Sequence, residues 1–207
     1  MSTDQQPRTV RSERFASTRT AAVGIGGITA GLYGVELADA GSSHSLDGDL
    51  GLHAHQFSDL WAIFTSPLVH ASWEHLIGNT VPLVLLGFIV LLEGWRRFLG
   101  VAAIGAVAAG LSAWLFSPAH TVTVGASGVI FALLTYLIAR GIYTRRIGQI
   151  VGGVIIAIAF GSLVWGVLPT SSGVSWQAHL GGAVGGVLAA WVLSERRVKN
   201  TGPSSLP

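Results

Sequence analysis

Six apolar runs of roughly 17 to 22 residues recur along this chain, and a hydrocarbon layer about 30 Å thick is crossed by a helix of about 20 such residues. They cover 21–40, 75–92, 98–116, 127–143, 147–168 and 176–193, with short polar or basic connections between them. Half of the 207 residues are hydrophobic and only 11% are charged, and the mean hydropathy is +0.60. Soluble domains carry about 25% charged residues. The predicted fold class is therefore all-α, a polytopic membrane protein with six transmembrane helices in one bundle. Residues 20–194 form that bundle, flanked by an N-terminal tail, 1–19, and a C-terminal tail, 195–207.

The charges orient the bundle. Of the twelve Lys and Arg, four lie in the N-terminal tail, two follow the second run, three surround the end of the fourth and three lie in the C-terminal tail. Six crossings put all of these on one face, whereas Glu36, Asp39, Asp47, Asp49 and Asp59 fall on the other. The positive-inside rule then places both termini in the cytoplasm of a cell-membrane protein. Although the pI is near 9.5, clusters between apolar runs report topology, and no nucleic-acid partner is expected. The first run is too long for a secretory signal core and has no clear cleavage site. Its Gly24, Gly26, Gly27, Gly31 and Gly34 suit close helix packing in lipid.

Between the first two runs, residues 41–58 read as a polar connection, and Phe57, Leu60, Trp61, Phe64 and Leu68 as an amphipathic segment lying at the bilayer surface. His53 and His55 lack the further ligands that a metal site needs and read as solvated loop residues. Without cysteine there is no disulfide, thiolate metal site or cysteine nucleophile. No metal or cofactor is expected. Glu93 reads as an ion-pair partner of Arg96 or Arg97.

Few polar side chains lie inside the runs, and such residues are functional candidates. Gly125-Ala126-Ser127-Gly128 opens the fourth run, putting a hydroxyl at a helix N-terminus where another backbone can approach. Taken alone, this is also a tight turn and helix cap. His75 and Asn79, four apart, share a helical face in the second run. In the sixth, Gly182 and Gly186 lie within roughly 60° of His179. That small-residue stripe admits a neighbouring helix, and the fourth run, with Gly128 and Ala132 near its start, is the expected neighbour. Individually, these groups also suit interhelical hydrogen bonds of about 0.6 kcal/mol. Together, a glycine-flanked serine, a base and two donors are the parts needed for acyl transfer.

Three spaced motifs resemble those of the rhomboid intramembrane serine proteases: His75-Leu-Ile-Gly-Asn79, Gly125-Ala-Ser127-Gly128, and Ala178-His179-Leu-Gly-Gly182-Ala-Val-Gly-Gly186. The resemblance spans about residues 57 to 193 and implies a serine endopeptidase acting on transmembrane protein substrates within the lipid bilayer. Ser127 would be its nucleophile and His179 its general base. The Ser127 backbone N–H, His75 and Asn79 would stabilise the oxyanion, with Gly125, Gly128, Gly182 and Gly186 supporting the motifs. Many family members have tyrosine where this chain has Phe131, which can stack on the histidine but cannot donate a hydrogen bond. The resemblance also makes the fifth span, with Phe160 and Trp165, the side through which substrate enters, and the turn Pro169 to Ser175 is a candidate lid. Two alternatives are a catalytically silent rhomboid-like protein that binds membrane clients, and a small transporter. The first would lack the serine or the histidine; the second is disfavoured by the absence of internal repeats and of a charge deep in a span. Oligomeric state is not legible.

Overall fold

The computed structural model describes residues 16–169 and 173–194, so most of both tails and part of the Pro169 to Ser175 turn lie outside the described residues. Helix α1, Thr18–Gly41, begins at Ser17, whose Oγ accepts the Thr20 N–H at 3.1 Å. The 41–58 connection is more ordered than its polarity suggests, with helix α2, Ser45–Leu50, and strand β1, Leu52–His53. β1 pairs antiparallel with β2, Val122–Thr123, Leu52 opposite Thr123. The amphipathic segment forms two 3-10 helices, Phe57–Ile63 and Ser66–Leu68. It buries Ala62 and Ile63 while exposing Phe57, Trp61, Phe64 and Leu68.

The remaining long helices are α3, Trp73–Leu92; α4, Trp95–Phe116; and α5, Ser127–Thr144. Pro82 sits inside α3 without ending it, as membrane helices permit. With α1, these are four helices long and apolar enough to cross a bilayer. The fifth apolar run differs from expectation. It is not one rod but helix α6, Ile147–Ala159, followed by a 3-10 helix, Gly161–Val167, bent from it by 62°. The Gly161-Ser162 pair at the break is of the kind that kinks helices. Helix α7, Trp176–Leu193, starts with Ser175 capping the Ala178 N–H at 3.3 Å and completes the bundle.

At the centre is α5, which buries Ile130, Phe131, Leu133, Leu134, Tyr136 and Leu137. Helix α7 reaches it through the expected glycines: a methyl group on Gly182 would strike the Gly128 backbone, and one on Gly186 the Ala132 carbonyl and Thr135. On the adjoining stripe, Gly181 and Gly185 abut Ala108 and Ala109, and Gly105 and Ala108, of α4. The close approach lets Thr135 Oγ1 donate to the Ala183 carbonyl at 2.7 Å. Ile77, Val81 and Leu85 of α3 and Val184, Leu188 and Val192 of α7 face outward, the apolar surface a lipid-embedded bundle requires.

At one end of the bundle Glu93 pairs with Arg97 as expected, Nε 3.9 Å away, and has two partners on α5 besides: Arg140, and Tyr136, which donates its hydroxyl at 2.6 Å. Arg140 lies far from Glu93 in sequence, and only helix packing brings them together. The loop histidines are also tied down more than expected: His53 Nδ1 lies 2.8 Å from Asp59 Oδ2, and His55 Nε2 lies 2.9 Å from the Ser117 carbonyl oxygen.

Candidate active site

The turn before α5 is built around Gly125, whose φ of +108° is a conformation side chains rarely tolerate. There is no room for one either, since a Cβ would lie 2.5 Å from the His75 ring and 3.6 Å from Asn79 Nδ2. Gly125 N–H donates to the Ser66 carbonyl at 2.8 Å, fixing the turn to the second 3-10 helix. Ala126 is the cap of α5 and provides no side-chain cap bond, so Ser127 is the first helical residue and its hydroxyl is not spent on capping.

That hydroxyl points at α7. Ser127 Oγ and His179 Nε2 are 2.8 Å apart. On its far side, His179 Nδ1 lies 2.8 Å from the Gly166 carbonyl oxygen, in the 3-10 helix after α6. A carbonyl can only accept, so Nδ1 carries the proton and the Nε2 lone pair is left for the serine hydroxyl. The tautomer is assigned by this bond. Phe131, one turn along α5, stacks on the imidazole with centroids 4.4 Å apart and planes at 17°. His179 is buried, 8% exposed, and lines a cavity.

Ser127 and His179 line a cavity of about 970 Å³ that also takes in His75 and Asn79, so the structure brings together all four polar residues singled out in the spans. Asn79 is buried, and its Nδ2 has no partner among the described residues. A buried amide donor without an acceptor is rare and suggests that something else supplies one. The first N–H groups of α5, that of Ser127 included, likewise have no intrahelical acceptor, and the positive end of the helix dipole lies there.

Two further residues escaped the sequence reading. Gly166 acts through its carbonyl, which no side-chain pattern signals. His70 is fully buried between the second 3-10 helix and α3; its Nε2 accepts the Ala126 N–H at a long 3.4 Å, and its ring meets that of His75 edge-on at 5.2 Å. Burial first, and then neighbouring His75, push the His70 imidazole down to about 4, so it stays neutral and able to accept. Its position five residues before His75 was the one available signal.

Fold and site together define a polytopic helical membrane protein with a serine–histidine contact facing a cavity. A family model described as Rhomboid domain matches residues 58–196, and the chain belongs to the rhomboid family. An uncharacterised protein of Mycobacterium leprae is 40% identical over 192 residues, covering 84% of this chain and 75% of that protein. An uncharacterised protein of Mycobacterium tuberculosis is 40% identical over 178 residues, 81% of this chain and 74% of its own length. Rhomboid-like protein 11, chloroplastic, of Arabidopsis thaliana is 32% identical over 160 residues, 68% of this chain and 55% of that protein.

Proposed function

We propose that this protein is an intramembrane serine endopeptidase that cleaves transmembrane segments of membrane-protein substrates with a Ser127–His179 dyad. One observation carries the reading: the 2.8 Å contact between the serine hydroxyl and an imidazole nitrogen whose opposite nitrogen is committed to a carbonyl. In the first step His179 Nε2 takes the hydroxyl proton as Ser127 Oγ attacks the scissile carbonyl carbon. The proton then passes to the leaving amine as the C–N bond breaks, leaving an acyl ester on Ser127. Water attacks that ester with His179 again as base, releasing the new carboxyl end and restoring the hydroxyl. The Gly166 carbonyl fills the orienting role that a carboxylate has in a triad.

Charge develops on the carbonyl oxygen in both steps. The Ser127 N–H, the unpartnered Asn79 amide and the His75 ring are the donors beside that position. α5 rises only about 27 Å over its 18 residues, so a helix anchored at one membrane face starts below the other. Water then reaches the dyad through the cavity rather than across lipid. The charge distribution supports an extracytoplasmic site with both termini cytoplasmic. By resemblance, substrate arrives past the broken fifth element, where Trp165 is exposed.

The test is cleavage of a fluorogenic transmembrane substrate library by purified protein in liposomes. Wild type cleaves at least one member and Ser127→Ala cleaves none. Turnover that survives in Ser127→Ala would refute the assignment.

A further inference from the structure

At the end of α1 opposite the basic cluster, Glu36 and Asp39 are three residues apart and share a helical face. Beyond it the chain reverses through Ser43 and His44, with φ of 60° and 61°, and this swings the His44 ring back onto Asp39, Nδ1 3.0 Å from Oδ2. Asp47 follows in the first turn of α2. One ligand atom each from Asp39, His44 and Asp47 lies within 4.8 Å of the others. A tetrahedral cation held about 2.1 Å from its ligands sets them about 3.4 Å apart, inside this limit.

Helix capping accounts for part of the cluster. Asp39 Oδ1 accepts the Leu46 N–H at 2.8 Å, joining α1 to α2. It does not account for Glu36, which is 1% exposed and has no hydrogen-bond partner for either carboxylate oxygen among the described residues. The charged groups that act on Glu36 are Asp39, Asp47 and His44. Asp47 Oδ1 is likewise buried without a partner. Three carboxyl groups lie on neighbouring positions with a single imidazole to offset them, and a buried carboxyl group either keeps its proton or takes a cationic partner.

We propose that Asp39, His44 and Asp47 hold a divalent cation, with the buried, unpartnered Glu36 behind them as an outer partner. Carboxylate oxygens with one imidazole nitrogen suit Mn²⁺ or Zn²⁺ better than Ca²⁺, which favours six to eight oxygens. The site is independent of the peptidase reading, yet it is linked to the dyad through the chain: α2 leads into β1, β1 pairs with β2, and β2 leads to Gly125. A bound cation fastens the first span to the segment that presents Ser127.

Equilibrium dialysis with elemental analysis tests this on the untagged full-length protein in detergent, stripped by chelator and then supplied with MnCl₂, ZnCl₂ or CaCl₂. The expected result is one Mn²⁺ or Zn²⁺ per chain, with a raised Tm and Ca²⁺ bound more weakly. His44→Ala and Glu36→Gln should each lower the affinity by at least about tenfold, the smallest loss seen when even outer-shell partners of a metal are removed. His120→Ala, at an exposed histidine elsewhere, should leave binding unchanged. His44 is itself exposed, so its variant decides the matter even if Glu36→Gln fails to fold. No stoichiometric uptake, wild-type affinity in His44→Ala, tighter binding of Ca²⁺, or loss in His120→Ala would each overturn the proposal.

Discussion

His179 is oriented without a carboxylate, and that makes Gly166 a residue to test. A methyl group there would lie 3.0 Å from Phe131 Cζ and 3.1 Å from His179 Nδ1, pressing on the ring that must stay aligned with Ser127. Gly166→Ala should lower kcat by about tenfold with the fold intact, a fraction of the roughly 100-fold loss attached to a 1 Å misplacement. An unchanged kcat would show that the ring keeps its alignment with Ser127 despite the added methyl group. Asn79→Ala should cost about 100- to 1000-fold in kcat with little change in KM, because an oxyanion donor acts in the transition state. Loss confined to KM would point to substrate binding instead. His70 gives a pH dependence. Its imidazole titrates near 6.5 when unfolded and about 4 when folded, so the unfolded chain binds the extra proton between those values. Stability is therefore full above pH 6.5 and falls as the pH drops toward 4, by on the order of 3 kcal/mol. Thermal unfolding at pH 7 and pH 5 should show a lower Tm at pH 5, with a smaller difference in His70→Gln; an equal difference would contradict this. Ser127, His179, His75 and Asn79 were legible because polar side chains inside apolar runs stand out. Gly166 was not, since any residue has a carbonyl, and neither was the Glu93–Arg140 pair, whose members meet only in three dimensions.

Elements differ in how much their sequence reveals. The boundaries of α3, α5 and α7 follow the polarity change at their ends, and the faces of α7 follow glycine spacing. The break between α6 and the 3-10 helix that carries Gly166 was missed, because hydropathy is continuous through it and only Gly161-Ser162 hints at a bend. Glycines in α1 and α7 look alike in sequence yet do different things. Gly182 meets the backbone of α5, whereas a Cβ on Gly26 or Gly31 of α1 would touch nothing within 4 Å. Gly182→Ala should therefore destabilise the bundle by about 1–3 kcal/mol through overpacking. Gly31→Ala should be neutral or stabilise it by up to about 1 kcal/mol. Unfolding in mixed micelles measures both, and equal effects would show that α7 does not depend on this close approach.

For the molecule as a whole, helical class and the number of apolar runs were visible from the start, but which helices touch and where the cavity opens depended on packing. Orientation is testable because the chain has no cysteine. Gly48→Cys and Gly148→Cys both have room for the added Cβ and lie toward opposite ends of the bundle. In intact cells an impermeant thiol reagent should label Gly48→Cys, and Gly148→Cys only after permeabilisation; the reverse would invert the assignment. Peptide-bond hydrolysis at this site requires that His179 activate the Ser127 hydroxyl. Mass spectrometry of protein treated with a fluorophosphonate measures this directly. The expected result is an adduct on Ser127 in wild type that is strongly reduced in His179→Ala. An adduct on another residue, or equal labelling of Ser127 when the imidazole is gone, would contradict it.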